Sequence, residues 1–568
     1  MPSQRALELC NSTETVTKAF AKKPTRPVSA VTKGIFKRIP PVKDVGKEES
    51  ELDKAARCGR FPNRPSELFL KIYNDALGAL NSGPLVNMVS PSLIGASGVI
   101  PLSIVSVIPD IMRHYAELIV RAETEVFLAT NYWEPSHSST IISDSLRELS
   151  KRVQARGGKR VVVKLMYDRG SLKQLITPRI VVPPSGWKKV NLPTEDEIPG
   201  ISLQVVNFHQ PMLGTFHAKY LVVDRRVACV NSNNIQDRPN VEMMVHLEGP
   251  IVDSFYDMAL LSWSNVMKPP LPLLSKQPVY PEEFKFNHDN ESLKYLTAAQ
   301  VAERLNIGRV KLDATVEDAG VADFRPYILH KFHSPCPIAM VNRKPTGSPG
   351  HRLNNPQDLS WLSAIKHAQK SIFIQTPTFN AAPLIPATLD ACRRGIEVTL
   401  FLDLGFNDQG EQIPFQGGTN EMVVHNMYDV LNKEKKGNEK NLHVFWYTGK
   451  DQKRPINAAA KKRNCHVKFM AIDESIAIFG NGNQDTQSWF HSMEINLMVD
   501  SPPLVREWLS GLDANQNTRL FGRVSDIDGI WRDGDEVVQA SGVGKATFMD
   551  WMRSIRSVLR RLRGSGGF

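Results

Sequence analysis

Two stretches of this 568-residue chain carry the same reactive residues at the same spacing. The first reads His217-Ala-Lys219-Tyr-Leu-Val-Val-Asp224, followed by Asn231-Ser-Asn-Asn234. The second reads His466-Val-Lys468-Phe-Met-Ala-Ile-Asp473, followed by Gly480-Asn-Gly-Asn483. In both, Lys follows His by two positions, Asp by seven and Asn by seventeen. With Lys and Asp each roughly 5–6% of ordinary sequence, two accidental hits among 14 histidines are about a one-in-a-thousand event.

The spacing says what these residues could do. On a strand, positions i and i+2 face the same way, so His217 projects with Lys219 and His466 with Lys468. If two such strands meet about a twofold axis, two imidazoles and two ammonium groups share one pocket. The lysines, with Asn234 and Asn483, would hold the non-bridging oxygens of a phosphodiester. One imidazole would attack phosphorus, and the other would deliver a proton to the leaving alkoxide. Asp224 and Asp473 complete the catalytic set but have the opposite parity and fall at hairpin turns. They therefore read as orienting groups, not attacking ones. The chemistry calls for no metal or cofactor, and no cluster of metal ligands is visible in the sequence.

The duplicated stretches resemble the HxKxxxxDxxxxxxGSxN signature of the phospholipase D superfamily. The resemblance covers residues 108–262 and 355–500 and is similar overall to the cardiolipin synthase and phospholipase D branch. It implies a bilobal α/β fold and double displacement through a phosphohistidine. It further implies His217 as nucleophile and His466 as general acid and base. Glu242 and Glu494 lie where the family places a carboxylate that hydrogen-bonds a catalytic imidazole. Two positions depart from the signature: Asn231 stands in place of Gly, where it would keep a left-handed turn, and Asn481 in place of Ser.

The elements that must position these residues repeat as well. Phe127 in TEVFLATNYW maps onto Phe373 in KSIFIQTPTF at an offset of 246, and a helical stretch precedes each (Ile111–Ala122, Leu359–Gln369). A second helix (Ile141–Ala155, Ile385–Arg394), a Gly-marked turn and an apolar strand ending at Asp168 or Asp403 follow. The pattern predicts two similar lobes from an internal duplication, each a mixed sheet flanked by helices. Their expected bounds are 84–265 and 355–510, joined by a connector at 266–354 with a short helix at Thr297–Leu305. Tyr132, Trp133 and Phe379 end repeated strands and are expected to overlook the pocket.

Charge is distributed unevenly. Of a net +11, residues 1–43 hold +7 and residues 545–563 hold +5, leaving the body close to neutral. Residues 1–83 read as a basic, largely disordered tail, with a mitochondrial presequence as the alternative for its start. Residues 511–568 form a second tail, whose Ala546–Arg563 segment is a basic amphipathic helix. Basic tails on a neutral body point to an anionic membrane surface more than to nucleic acid. The apolar run Pro84–Pro109 holds too many prolines and polar residues for a membrane span and reads as a buried entry strand. Six cysteines without paired spacing favour a reducing interior, cytoplasmic or peripheral to a membrane. Three functions follow in order: a phospholipase or phosphatidyltransferase on glycerophospholipids, a nuclease or DNA-end phosphodiesterase, and an inactive membrane-binding scaffold.

Overall fold

A computed structural model of the chain describes residues 2–38, 49–170, 172–211, 213–296, 324–347, 350, 352–408, 416–534 and 536–537. The first half supplies β1 (Gly95–Ser106), β2 (Glu125–Ala129), β3 (Val161–Tyr167) and β4 (Arg179–Val182). It continues with β5 (Ile201–Phe208), β6 (Tyr220–Val223), β7 (Val227–Asn231) and β8 (Glu242–Glu248). After the short β9 (Tyr327–Leu329) and β10 (Cys336–Met340), the second half supplies β11 (Ser371–Thr376), β12 (Glu397–Leu402) and β13 (Leu442–Trp446). It ends with β14 (Phe469–Ile472), β15 (Ile476–Gly480) and β16 (Asn496–Asp500).

The halves repeat one plan. β2, β3 and β5 run parallel, while β6, β7 and β8 form an antiparallel meander attached through β2·β6. β11, β12 and β13 run parallel in the same way, and β14, β15 and β16 attach through β11·β14. Helices His137–Ala155, Leu384–Arg393 and Asn420–Glu434 are the crossovers that parallel pairing requires. The helix Ile108–Val120 turns Ile108, Ile111, Met112, Tyr115, Leu118 and Ile119 inward at three- and four-residue spacing, the stripe that buries a helix on a sheet.

The lobes do not keep separate sheets. β1 pairs antiparallel with β10, so the order β13-β12-β11-β14-β15-β16-β10-β1-β8-β7-β6-β2-β3-β5-β4, with β9 beside β1, is one 16-stranded sheet. The pseudo-twofold axis falls between β1 and β10. This corrects the reading of residues 266–354 as a connector whose one regular element is a short helix, because β9 and β10 are sheet strands within it. Their brevity and Pro337 hid them from a periodicity search. Thr297–Leu305 lies outside the described residues.

The N-terminal reading also needs correction. Residues 1–83 are not largely disordered: helices span Gln4–Cys10, Val16–Ala21, Val28–Thr32, Glu51–Arg57 and Glu67–Leu77. Ser3, Thr15, Ser50 and Ser66 cap four of them. Val16, Phe20, Val28, Phe69 and Tyr73 lie in the main core. Sparse apolar residues at matching positions offset the charge that dominates the composition. Pro84–Pro109 contains the buried β1, as expected, and no helix among the described residues is long and apolar enough to cross a membrane. The segment Ala546–Arg563 lies outside the described residues.

Candidate active site

His217 and His466 each lie just ahead of a meander strand, where the chain still runs extended. An acidic residue at the end of a parallel strand fixes each approach: Asp168 Oδ2 accepts from the Phe216 N–H at 2.7 Å, and Asp403 Oδ1 accepts from the Cys465 N–H at 3.1 Å. Each segment then crosses to the other lobe. His217 N–H donates to Met493 O (3.1 Å), and His466 N–H donates to Val241 O (2.8 Å). These parallel bridges set the histidine segment of one lobe beside the strand entry that carries the other lobe's glutamate.

The carboxylates are therefore exchanged between lobes. His217 Nδ1 stands 2.8 Å from Glu494 Oε2, and His466 Nδ1 stands 3.0 Å from Glu242 Oε2. A carboxylate that is ionised only accepts, so the proton shared in each of these pairs belongs to the imidazole Nδ1. Lys219 Nζ donates to His217 O at 2.8 Å, and Lys468 Nζ donates to His466 O at 2.5 Å, so each ammonium is held beside its own imidazole. All six side chains are buried, with 3% exposure at either histidine.

Burial in this setting reshapes the charges. It pushes both imidazoles down, His466 to about 3, against the opposing pull of the glutamates. Both lysines act on each imidazole in the same downward direction. Burial also lowers Lys219 to about 7 and Lys468 to about 8. For Glu242, burial pulls upward, but the His466 and Lys468 charges and the Ser232 hydroxyl outweigh it and hold the carboxyl below its ordinary range. Burial therefore weakens the basicity of both imidazoles and both lysines, while Glu242 is held toward its ionised form.

Asp224 and Asp473 do not face this pocket, so the grouping with catalytic residues does not hold for them. Asp224 accepts the N–H groups of Glu123, Thr124 and Glu125, and Asp473 those of Gln369, Lys370 and Ser371. Each starts the β6–β7 or β14–β15 turn at positive φ (Asp224 49°, Asp473 50°). They tie these turns to the chain entering β2 and β11.

The asparagines are placed unequally. Asn234 Oδ1 accepts from the Tyr132 N–H (3.3 Å), whereas Asn483 donates to Asp485 Oδ2 (3.0 Å) and leaves its buried Oδ1 without a hydrogen bond. Asn231 does not take the left-handed turn expected of it. Its side chain is held by Tyr115 and Asn233, while Gly480 in the other lobe has φ 158° and a Cβ there would meet Ile495 O at 2.0 Å. Ser232 donates to Glu242 at 2.5 Å, but its counterpart Asn481 reaches across the seam to the Lys219 N–H and Asn231 O. Consequently Glu242 has three side-chain partners, whereas Glu494 Oε1 has no hydrogen bond.

Trp133 and Phe379 are buried, their backbones bridging to Ile235 and Gln484 beside the motif asparagines, and Tyr132 is partly exposed under the Arg169 guanidinium at 4.4 Å. Phe406, which the sequence did not single out, lies with its ring 6.3 Å from that of His466. Asp168, Asp403 and Ser232 were likewise missed as site residues. The first two were visible as strand ends, but nothing marked them as anchors for the histidine segments.

A family model described as cardiolipin synthase, PLD-like domain, matches residues 361–514. Among solved structures, the chain is similar to the phosphatidylserine synthase of Haemophilus influenzae Rd KW20, at 14% identity over 76% of this chain and 89% of that one, with a TM-score of 0.45. It is also similar to Nuc, a phospholipase D family member from Salmonella typhimurium, at 17% identity over 33% of this chain and 95% of that one, with a TM-score of 0.23. No curated protein sequence matches it. The matched segment lies in the half of the chain that carries His466, Lys468 and Glu494, and within it supports the resemblance to the phospholipase D superfamily.

Proposed function

We propose that the protein is a phosphodiesterase or phosphatidyltransferase acting on glycerophospholipids through a phosphohistidine. The carrying observation is the meeting of two His-Lys pairs across the seam, each imidazole backed by the other lobe's glutamate. A bound phosphate anion favours the ammonium forms of Lys219 and Lys468 and the imidazolium form of His466, which delivers the proton. His217 Nε2 attacks phosphorus, the P–N bond forms, and the P–O bond to the leaving alcohol breaks as His466 gives that oxygen its proton. Water or an alcohol then surrenders a proton to His466 and attacks, which breaks the P–N bond and frees His217.

The lipid reading draws on the name of the matched family model and on the placement of charge. Exposed Lys18, Lys22, Lys23, Arg26, Lys33 and Lys37 cluster on the N-terminal helices and their loops, a surface suited to anionic lipid. The test is incubation with phosphatidylcholine, phosphatidylglycerol and single-stranded DNA in the presence of EDTA, with products read by mass spectrometry. Phosphatidic acid or cardiolipin is the expected product. DNA cleavage without any lipid product would overturn the lipid assignment in favour of a nuclease.

A further inference from the structure

Away from the active site, lobe one contains a second cluster that the sequence did not reveal as a ligand set. His114 comes from the helix Ile108–Val120, Cys229 from β7 and His246 from β8, where it stands directly opposite Cys229. All three are fully buried, and one ligand atom from each lies within 4.8 Å of the other two. The inner nitrogens, His114 Nε2 and His246 Nδ1, are 2.9 Å apart. Both outer nitrogens are engaged: His114 Nδ1 with Tyr295 OH at 2.7 Å, and His246 Nε2 with Glu248 Oε1 at 3.0 Å. Asn290 donates in turn to Glu248 Oε1 at 2.6 Å. Outer-nitrogen partners of this kind orient histidine ligands and fix their tautomers.

The duplication provides an internal comparison. At the corresponding positions, lobe two has Ile478 directly opposite Met498, and Ser360 on the equivalent helix. Ser360 turns back to bond its own helix at Pro356 O. The fold thus fills this layer in one copy with two apolar side chains and a serine satisfied by its own helix, so packing alone does not require two histidines and a thiol in the other. A neutral relay from Tyr295 through both imidazoles to Glu248 would satisfy every nitrogen but gives the thiol no part. A metal gives all three inner atoms one.

We infer that His114, Cys229 and His246 form a structural site for a thiophilic transition metal, zinc or monovalent copper. Both ions take mixed imidazole and thiolate ligands. At bond lengths of about 2.0–2.1 Å, nitrogens 2.9 Å apart subtend roughly a right angle; a tetrahedral ion opens them by about 0.4 Å. The bound ion would clamp the helix to the hairpin that carries Asn231 and leads into Glu242.

The test is elemental analysis of the full chain, purified without chelator from cells supplied with zinc and copper, together with absorption spectra after cobalt substitution. The comparison variant is Cys229→Ile with His246→Met, which copies lobe two and is checked for fold by circular dichroism. About one zinc or copper per chain is expected in the wild type, with a thiolate-to-cobalt charge-transfer band, and both should be lost in the variant. Less than about a tenth of an equivalent of either metal in the wild type would overturn the inference and leave a hydrogen-bonded core cluster. Metal retained by the folded variant would overturn it equally, because the ion would then lie elsewhere.

Discussion

Glu242→Gln isolates the acid role proposed for His466. Glu242 Oε2 accepts from His466 Nδ1 at 3.0 Å and from Ser232 Oγ at 2.5 Å, and Asn240 Nδ2 approaches Oε1 at 3.4 Å. The substitution keeps the shape and an acceptor for His466 but removes the charge that stabilises its imidazolium. A charge-assisted hydrogen bond contributes about 1.5–3 kcal/mol and a neutral one about 0.5–1.5. The loss is therefore about 1–2 kcal/mol, or roughly 5- to 30-fold in the step that needs protonated His466. The assay compares two soluble diesters, one leaving as an alkoxide and one as p-nitrophenolate. The alkoxide substrate should show the full loss in its first step. The p-nitrophenyl substrate, whose leaving group needs no proton, should keep its pre-steady-state burst rate. Equal losses on both, or none on either, would refute this role for the Glu242–His466 pair.

Further outcomes follow from the same geometry. Glu494→Gln sits behind the imidazole assigned to attack, so it should slow the burst on both diesters by a similar roughly 5- to 30-fold. Because free Lys219 and Lys468 titrate at about 7 and about 8, kcat/KM should fall as pH rises through that range. In a pH–rate profile the same limb of kcat should lie higher, since bound phosphate favours the ammonium forms. His466 is lowered from its unfolded value near 6.5 to about 3, so the unfolded chain takes up its proton first as pH falls. Its contribution to stability is complete above about pH 6.5 and is lost toward pH 3, costing about 2 kcal/mol by pH 5 in urea titrations. Asp224→Ala strands three backbone N–H groups and should lower stability by about 2–4 kcal/mol, with kcat of the folded enzyme within about twofold.

The convergence of the two His-Lys pairs was legible because it rests on local parity and on repetition. His217-x-Lys219 and His466-x-Lys468 declare a strand-like face, and the offset between the halves declares the duplication. The exchange of Glu242 and Glu494 between lobes was not legible, since Val241·Cys465 and Phe216·Met493 are non-local bridges with no sequence signature. The same holds for Asn481, which reads as a substituted turn residue but works across the seam on Lys219. β10 was hidden because five residues with a proline give no periodicity, although it joins the lobes into one sheet. The N-terminal helices were masked by their lysines and arginines, whose stems and charges face outward while Val16, Phe20 and Val28 point into the core. Charge counts report solubility and partners better than they report order.

Trapping the covalent intermediate would show whether the two histidines share one reaction. Wild type, His217→Ala and His466→Ala would each be mixed with phosphatidylcholine, quenched within a turnover and digested, and the histidine peptides weighed by mass spectrometry. A phosphatidyl adduct is expected on the His217 peptide of the wild type, none in His217→Ala, and steady turnover in neither variant. Turnover that persists in both variants, with no adduct on either peptide, would contradict a shared histidine site.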